Sequence, residues 1–364
     1  MKKLFPFLLA LAVATAAQAF SFSQTVQSGQ TLYFTITSAS AVKVVAPATV
    51  GWNGYGAPTG NLVIPATVTH EGTTYSVTAI DRMAFQQCYG LTEVHIPGSV
   101  VSVGQRAFAE DSMLVTAVLD EGVQRIDMMA FIACTALDTI ELPNSLIRIA
   151  VSAFENTAYY NNMDNWSSEM MLTLGQWVLK VGNIATGTVH VHEGVRGIAN
   201  NAFLYCHNVD RVVLPTTMRV IGDGAFKECF SLDTVQMQSP LPPAVSDDSF
   251  ADVDPLPVLL VPCSTATNYT SAQYWSDFTV VESPCPVAIE EVEPTAEVEV
   301  SAVQGGVVVR GLEGDALTVC DMLGRRVCSV QCAGDAQYLP LPVAGLYVLL
   351  TSRGGAVKMC YSFR

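Results

Sequence analysis

The stretch Ala84-Phe85-Gln86-Gln87-Cys88-Tyr89-Gly90-Leu91-Thr92-Glu93-Val94-His95-Ile96-Pro97 decides the fold, because its frame returns along the chain. The Ala-Phe pair recurs at Ala107-Phe108, Ala130-Phe131, Ala153-Phe154, Ala202-Phe203 and Ala225-Phe226, so the rings of Phe85, Phe108, Phe131, Phe154, Phe203 and Phe226 are 23, 23, 23, 49 and 23 residues apart. An Ile or Val precedes each Phe by four or five residues, a Cys often follows it by three, and a strand-like stretch comes next. Self-similarity at a fixed period of about 20 to 50 residues marks a solenoid, whose units bury their apolar faces only against their neighbours. Residues two apart in a strand share a face, so Val94 and Ile96 point inward and His95 outward. Pro97 ends the strand because it cannot donate to a ladder. The Ala-Phe segment is the return limb: a small Ala admits close backbone approach, and the Phe fills the space between limbs. Burying one such ring is worth about 1.5–3 kcal/mol.

The same strand stretch reads Leu114-x-x-Ala117-x-Leu119, Leu137-x-x-Ile140-x-Leu142-Pro143, Val209-x-x-Val212-x-Leu214-Pro215 and Leu232-x-x-Val235-x-Met237. With A-F-x-x-C before it, this 23-residue frame resembles the BspA-like leucine-rich repeats of bacterial surface proteins, a type also found in treponemes. The resemblance covers about residues 60 to 283. It implies a mainly β, leucine-rich-repeat solenoid with β caps: an N-terminal cap region over 20–76, repeats over 77–247 and a closing cap over 248–285 with Tyr269, Trp275 and Phe278. In the second repeat Asp111 replaces the Cys and Asp120 the Pro, so a looser turn is expected there. The 49-residue spacing is one unit plus 49 − 23 = 26 extra residues, placed near 156–188. These include Tyr159, Tyr160, Trp166, Trp177, Met163, Met170 and Met171. A binding loop would explain them, but a wider turn with its own hairpin core explains them more simply.

Of the 364 residues 50% are apolar and only 14% charged, too few charges for a disordered region. With 33 acidic against 18 basic residues the net charge is −15, which argues against a nucleic-acid binder. Beyond residue 19 there is no apolar run long enough for a membrane-spanning helix. Residues 1–19, with Lys2-Lys3, an apolar run from Leu4 to Val13 and Ala17-Gln18-Ala19, read as a secretory signal peptide cleaved after Ala19. Cleavage removes both lysines, leaving 16 − 33 = −17. No Cys follows the cleavage site, which disfavours a lipid anchor. Export places the ten cysteines where disulfides can form.

Cys88, Cys134, Cys206 and Cys229 each follow the repeat Phe by three and should form one column. Cys88 and Cys134 are two turns apart, beyond disulfide reach. The column reads as buried thiols, with a Cys206–Cys229 bond as the alternative. Cys263 and Cys285 bracket the closing cap and could staple it, while Cys320, Cys328, Cys332 and Cys360 belong to the next domain with pairing open. No set has the spacing of a zinc site.

Residues 286–296 carry Glu290, Glu291 and Glu293 with Pro286 and Pro294 and no basic residue, an acidic linker. Short strand-like runs over 306–310, 317–321, 326–330 and 346–352, separated by glycine turns, suggest a small antiparallel β-sandwich over 297–364. Val319-Cys320-Asp321-Met322-Leu323-Gly324-Arg325-Arg326-Val327, with Leu341-Pro342-Val343-Ala344-Gly345-Leu346-Tyr347 after it, resembles the C-terminal sorting domain of type IX secretion cargo. That resemblance implies an encounter with secretion machinery, passage across an outer membrane, and release or surface attachment. The chain departs from the family's Lys-rich tail, since Lys358 is followed by Met359-Cys360-Tyr361-Ser362-Phe363-Arg364.

No G-x-S-x-G, H-E-x-x-H or P-loop is present, and no carboxylate pair is singled out, so neither an enzyme nor a cofactor is expected. His190 and His192 lack an evident third ligand, so no metal site is assigned. Binding is the better expectation, through outward strand positions: Thr92, Glu93 and His95; Val115, Thr116 and Val118; Asp138, Thr139 and Glu141; Asp210, Arg211 and Val213; Asp233, Thr234 and Gln236. As columns on one sheet face they would meet a host or matrix protein or a glycan, making the chain a secreted or cell-surface adhesin. The alternatives are a secreted hydrolase-type protein whose repeats only aid binding, and a self-associating surface-layer component.

Overall fold

The computed structural model describes residues 20–49, 51–284, 299–303, 306–311, 313–321, 325–341, 345–351 and 356–361. Residues 1–19 and 286–296, expected to be a signal peptide and an acidic linker, lie outside them. The chain divides into two compact units, Met1–Glu282 and Ser283–Arg364.

The first unit is a parallel β-solenoid. Each regular turn runs from a long strand to a two-residue strand and then into the Ala-Phe limb. Long strands Thr59–Val63, Gly90–Ile96, Thr116–Leu119 and Thr139–Glu141 pair side by side in a parallel sheet. Short strands Ser102–Val103, Arg125–Ile126 and Arg148–Ile149 stack in register on Thr73–Ile80. The alternation expected at Val94-His95-Ile96 holds: Leu91, Val94 and Ile96 are inaccessible to solvent while His95 is half-buried. The N-terminal end is covered by antiparallel strands Phe22–Thr25, Thr31–Ser38 and Ala41–Val45, the last running parallel to Thr73–Ile80.

The Ala-Phe limb contains a feature that the residue types do not display. The residues two before and two after each Phe are left-handed, with φ between 54° and 67°: Met83 and Gln87, Arg106 and Glu110, Met129 and Ala133, Ser152 and Asn156, Asn201 and Tyr205, Gly224 and Glu228. Only Gly224 escapes the Cβ cost, of order 1 kcal/mol or more per residue. In the regular repeats this alternation aims every second N–H at the following turn. Met83, Phe85 and Gln87 donate to the carbonyls of Gln105 (2.9 Å), Ala107 (2.7 Å) and Ala109 (3.0 Å). The Phe-to-Ala bond recurs from Phe108 to Ala130, from Phe131 to Ala153 and from Phe203 to Ala225, each at 2.8 Å. The carbonyl of Ala84 has no earlier repeat to serve it, and Trp52 Nε1 donates to it at 2.9 Å.

Trp52 also heads the ring column. Centroids from Trp52 through Phe85, Phe108 and Phe131 to Phe154 are 6.1, 5.0, 5.1 and 5.4 Å apart. A second column, Phe203, Phe226 and Phe250, has spacings of 4.7 and 4.9 Å and ends edge-on against Trp275 and Phe278. At that end Trp275 Nε1 donates to the Pro243 carbonyl at 2.8 Å, and the Tyr269 hydroxyl to the Ser239 carbonyl at 2.7 Å.

Cys88, Cys134, Cys206 and Cys229 are buried free thiols, so the Cys206–Cys229 bond is not formed. Cys134 Sγ donates to the Phe108 carbonyl and Cys229 Sγ to the Phe203 carbonyl, at 2.9 and 3.1 Å, which adds a bond to the preceding turn. Cys263 is disulfide-bonded, and Cys285 lies outside the described residues. The second repeat is not looser at Asp120. Its N–H, which a proline would lack, donates to the Ile96 carbonyl at 3.0 Å, and its carboxylate meets His95 Nε2 at 2.9 Å.

The second unit holds two antiparallel sheets around one small core. One orders Glu299–Val303, Gly306–Arg310 and Ala336–Pro340; the other orders Arg326–Gln331, Ala316–Asp321, Gly345–Thr351 and Ala356–Tyr361. Val307, Val309, Leu317, Val319, Leu339 and Leu349 fill the space between them. In the signature quoted above, Arg325 Nε reaches Asp321 Oδ2 at 2.7 Å.

Asp111 occupies a Cys position and is fully buried. Its Oδ1 accepts the Cys88 N–H at 2.7 Å, while Oδ2 has no partner. Burial drives its carboxyl up to about 9, against the lowering effect of the Cys88 N–H and with help from Glu110. An unfolded Asp titrates near 3.9. Between about pH 4 and the raised value the folded chain therefore binds one more proton than the unfolded chain, and stability falls as pH rises. The slope from this group is about 1.4 kcal/mol per pH unit. We predict that Asp111→Asn, which keeps the acceptor without the titration, loses this decline in urea midpoints measured from pH 5 to pH 9. Identical pH slopes in the two proteins would refute the assignment.

Candidate functional site

The outward positions lie on two separate sheets instead of one continuous face. In the first, Glu93, Thr116 and Thr139 align, as do His95, Val118 and Glu141. Asp138, Thr139 and Glu141 are exposed, whereas Thr92, Glu93 and His95 are half-buried. The second sheet orders Thr186–His190, Asn208–Leu214, Thr234–Met237, Val258–Val261 and Val280–Glu282, with Arg211 beside Thr234 and Val213 beside Gln236. Asp210, Arg211 and Asp233 are exposed, and Thr234 and Gln236 are half-buried. Val213, expected outside, is buried at 7% exposure in a column between His190 and Gln236.

The break between the sheets is the insertion. After Phe154 a helical turn, Ala158–Asn161, replaces the long strand: Thr157 Oγ1 accepts the Tyr160 N–H, and the Tyr159 N–H bonds to the Leu137 carbonyl of the preceding turn. The chain then forms the hairpin Met171–Leu174 with Trp177–Val181, whose Trp177 and Val178 pair in parallel with Gly197 and Ile198. Trp177 and Met171 are buried in the same continuous core as the repeats, so the hairpin widens the turn without the core of its own that the sequence suggested. Gly197 is required by this packing, since a Cβ there would lie 2.5 Å from the Trp177 ring. Val181 takes the place of a Phe in the ladder, donating to the Ala202 carbonyl at 2.7 Å.

The hairpin supplies a ladder donor but no ring, so the phenylalanine column is interrupted between Phe154 and Phe203. A cleft opens there, lined by Glu155, Tyr160, Lys180, Asn201, Leu204 and Tyr205 among others. Lys180 Nζ donates to the Asn201 carbonyl at 3.4 Å and feels the Glu155 carboxylate at longer range; burial, the dominant influence, lowers its pKa. Burial, then Glu155, raises that of Tyr160. On the far side of the seam Asn200 Nδ2 and Arg148 both reach Asp223 Oδ2, at 3.1 and 3.7 Å, closing the solenoid. The sequence pointed to this region through the 49-residue spacing but to none of Glu155, Lys180, Asn201 or Tyr205. His190 pairs with Glu169 at 3.1 Å and His192 is exposed; among the described residues no group of three or more His, Cys, Asp or Glu could hold a metal ion.

The family described as BspA type leucine rich repeat region matches residues 68–170 and 171–256, more than half of the chain. This chain belongs to the BspA-type leucine-rich repeat family. The six Ala-Phe repeats and the insertion hairpin all fall within that match. Residues 286–360 match a domain of unknown function, DUF6383. No catalytic family is among the matches, and no curated protein matches the chain. Among solved structures, a leucine-rich repeat protein from Bacteroides capillosus is 30% identical over 36% of this chain and 91% of its own, with a TM-score of 0.31. The T. pallidum leucine rich repeat protein is 22% identical over 56% and 68%, with a TM-score of 0.29. A leucine rich cell surface protein from Faecalibacterium prausnitzii is 18% identical over 73% and 96%, with a TM-score of 0.26. Among the described residues no helix of this BspA-type protein is long and apolar enough to cross a membrane.

Proposed function

We propose that this BspA-type protein is exported and works at the cell surface or outside the cell, where its long-strand sheets bind a host or matrix protein or a glycan. The observation that carries this reading is the set of exposed polar side chains on the long-strand sheets: Asp138, Thr139 and Glu141 along the edge strand of one, Asp210, Arg211 and Asp233 on neighbouring turns of the other. A surface pre-formed on a parallel sheet binds an extended partner with a reduced ordering cost. Residues 297–364 act, in this reading, as a type IX sorting domain that engages the secretion machinery.

Two measurements test the proposal. On arrays of matrix proteins and glycans, replacing Asp138, Asp210 and Asp233 together with Lys should weaken capture at least tenfold and leave the melting temperature within a degree or two; unchanged capture removes this face. Cell fractionation with mass measurement of the exported protein should find it at the surface or in the medium, beginning at Phe20. Retention of full-length precursor in the cytoplasm would overturn the export reading.

A further inference from the structure

We propose that the insertion seam is a second binding site, separate from the long-strand sheets, and that it takes a neutral oligosaccharide. The cleft lies at the break in the ring column between Phe154 and Phe203, where the strand Trp177–Val181 is interposed between two Ala-Phe limbs. Its polar groups are mixed in kind. Lys180 brings N–H donors and Glu155 a carboxylate acceptor, and the two opposite charges cancel. Lys180 and Glu155 stand too far apart for an ion pair, so each is available to a third group. A hydroxyl both donates and accepts, and a ligand made of adjacent hydroxyls answers such a lining, whereas an anion would satisfy Lys180 and be repelled by Glu155.

A second observation gives the direction of the chain that would lie there. Tyr205, at the cleft mouth, begins a surface file of rings: Tyr205 to His207 at 5.9 Å and His207 to Phe230, stacked, at 5.0 Å. Tyr205 is 47% and Phe230 62% exposed, and His207 is also exposed. Large rings left in water on successive turns cost hydration free energy and contribute nothing to the core. Flat apolar faces alternating with polar tips fit the apolar faces of sugar rings, while the cleft holds the hydroxyls at one end.

The full chain would be titrated by calorimetry with neutral hexaoses of glucose, mannose, galactose and N-acetylglucosamine, and with a hexauronate. We expect at least one neutral hexaose to bind and the hexauronate to bind more weakly. Tyr205→Ala with Phe230→Ala, both at exposed positions, should weaken binding at least tenfold with an unchanged melting temperature, and Lys180→Met should do the same. The Asp138, Asp210 and Asp233 triple-Lys variant should bind the hexaose as the wild type does, which separates this site from the sheet face. The inference is overturned if no neutral hexaose binds, if the hexauronate binds best, or if binding survives the double ring substitution.

Discussion

One hydrogen bond, from the N–H of a repeat Phe to the carbonyl of the Ala one turn later, sets the geometry on which the rest of the solenoid depends. It exists because the residues flanking each Ala-Phe pair adopt left-handed φ, a conformation that Met, Arg, Glu and Tyr take only against a steric cost. That cost is offset by three ladder bonds per regular limb and by the stacked rings they bring together. The small Ala is needed because the next turn's backbone passes over it, and Ala84, Ala107 and Ala130 are wholly inaccessible to solvent. The thiols of Cys134 and Cys229 reinforce the same contact by donating to the preceding turn's Phe carbonyl.

A ladder that runs forward from N–H to carbonyl leaves orphaned carbonyls on its first limb, and a tryptophan serves one of them. Trp52 serves the orphaned Ala84 carbonyl and continues the ring column; at the other end Trp275 bonds outside the ladder, to the Pro243 carbonyl. A buried carbonyl left without a donor costs about 1–3 kcal/mol, which explains why an indole, apolar in body with a single N–H, stands over Ala84. The seam follows the same logic in part. Val181 keeps the ladder bond and is itself fully buried, but it brings no ring to the column, and the cleft lies beside this break.

Much of this was legible in the residues. The 23-residue spacing and the L-x-x-V-x-I-P stretch fixed the solenoid and the facing of Val94, His95 and Ile96, whereas the hairpin of the insertion shares the repeats' core instead of having its own. The left-handed positions were not legible, because Met83, Gln87 and Arg106 are not turn formers and their conformation is imposed by the neighbouring turns. The single face drawn through Glu93 and Arg211 became two, since the helical turn at Ala158–Asn161 carries no strand signal or breaker to announce it. Val213 looked outward by alternation yet is covered by its neighbours in the column. In the second unit, the strand Ala336–Pro340 was obscured by its proline, which the end of an edge strand tolerates.

The ladder is tested most directly by residue-resolved amide hydrogen exchange on the full chain. The amides of Phe85, Phe108, Phe131, Phe203 and Phe226, together with Val181, should be among the slowest in the protein. Exchange at those six amides as fast as in the exposed loop at Ser112 and Met113 would contradict the account.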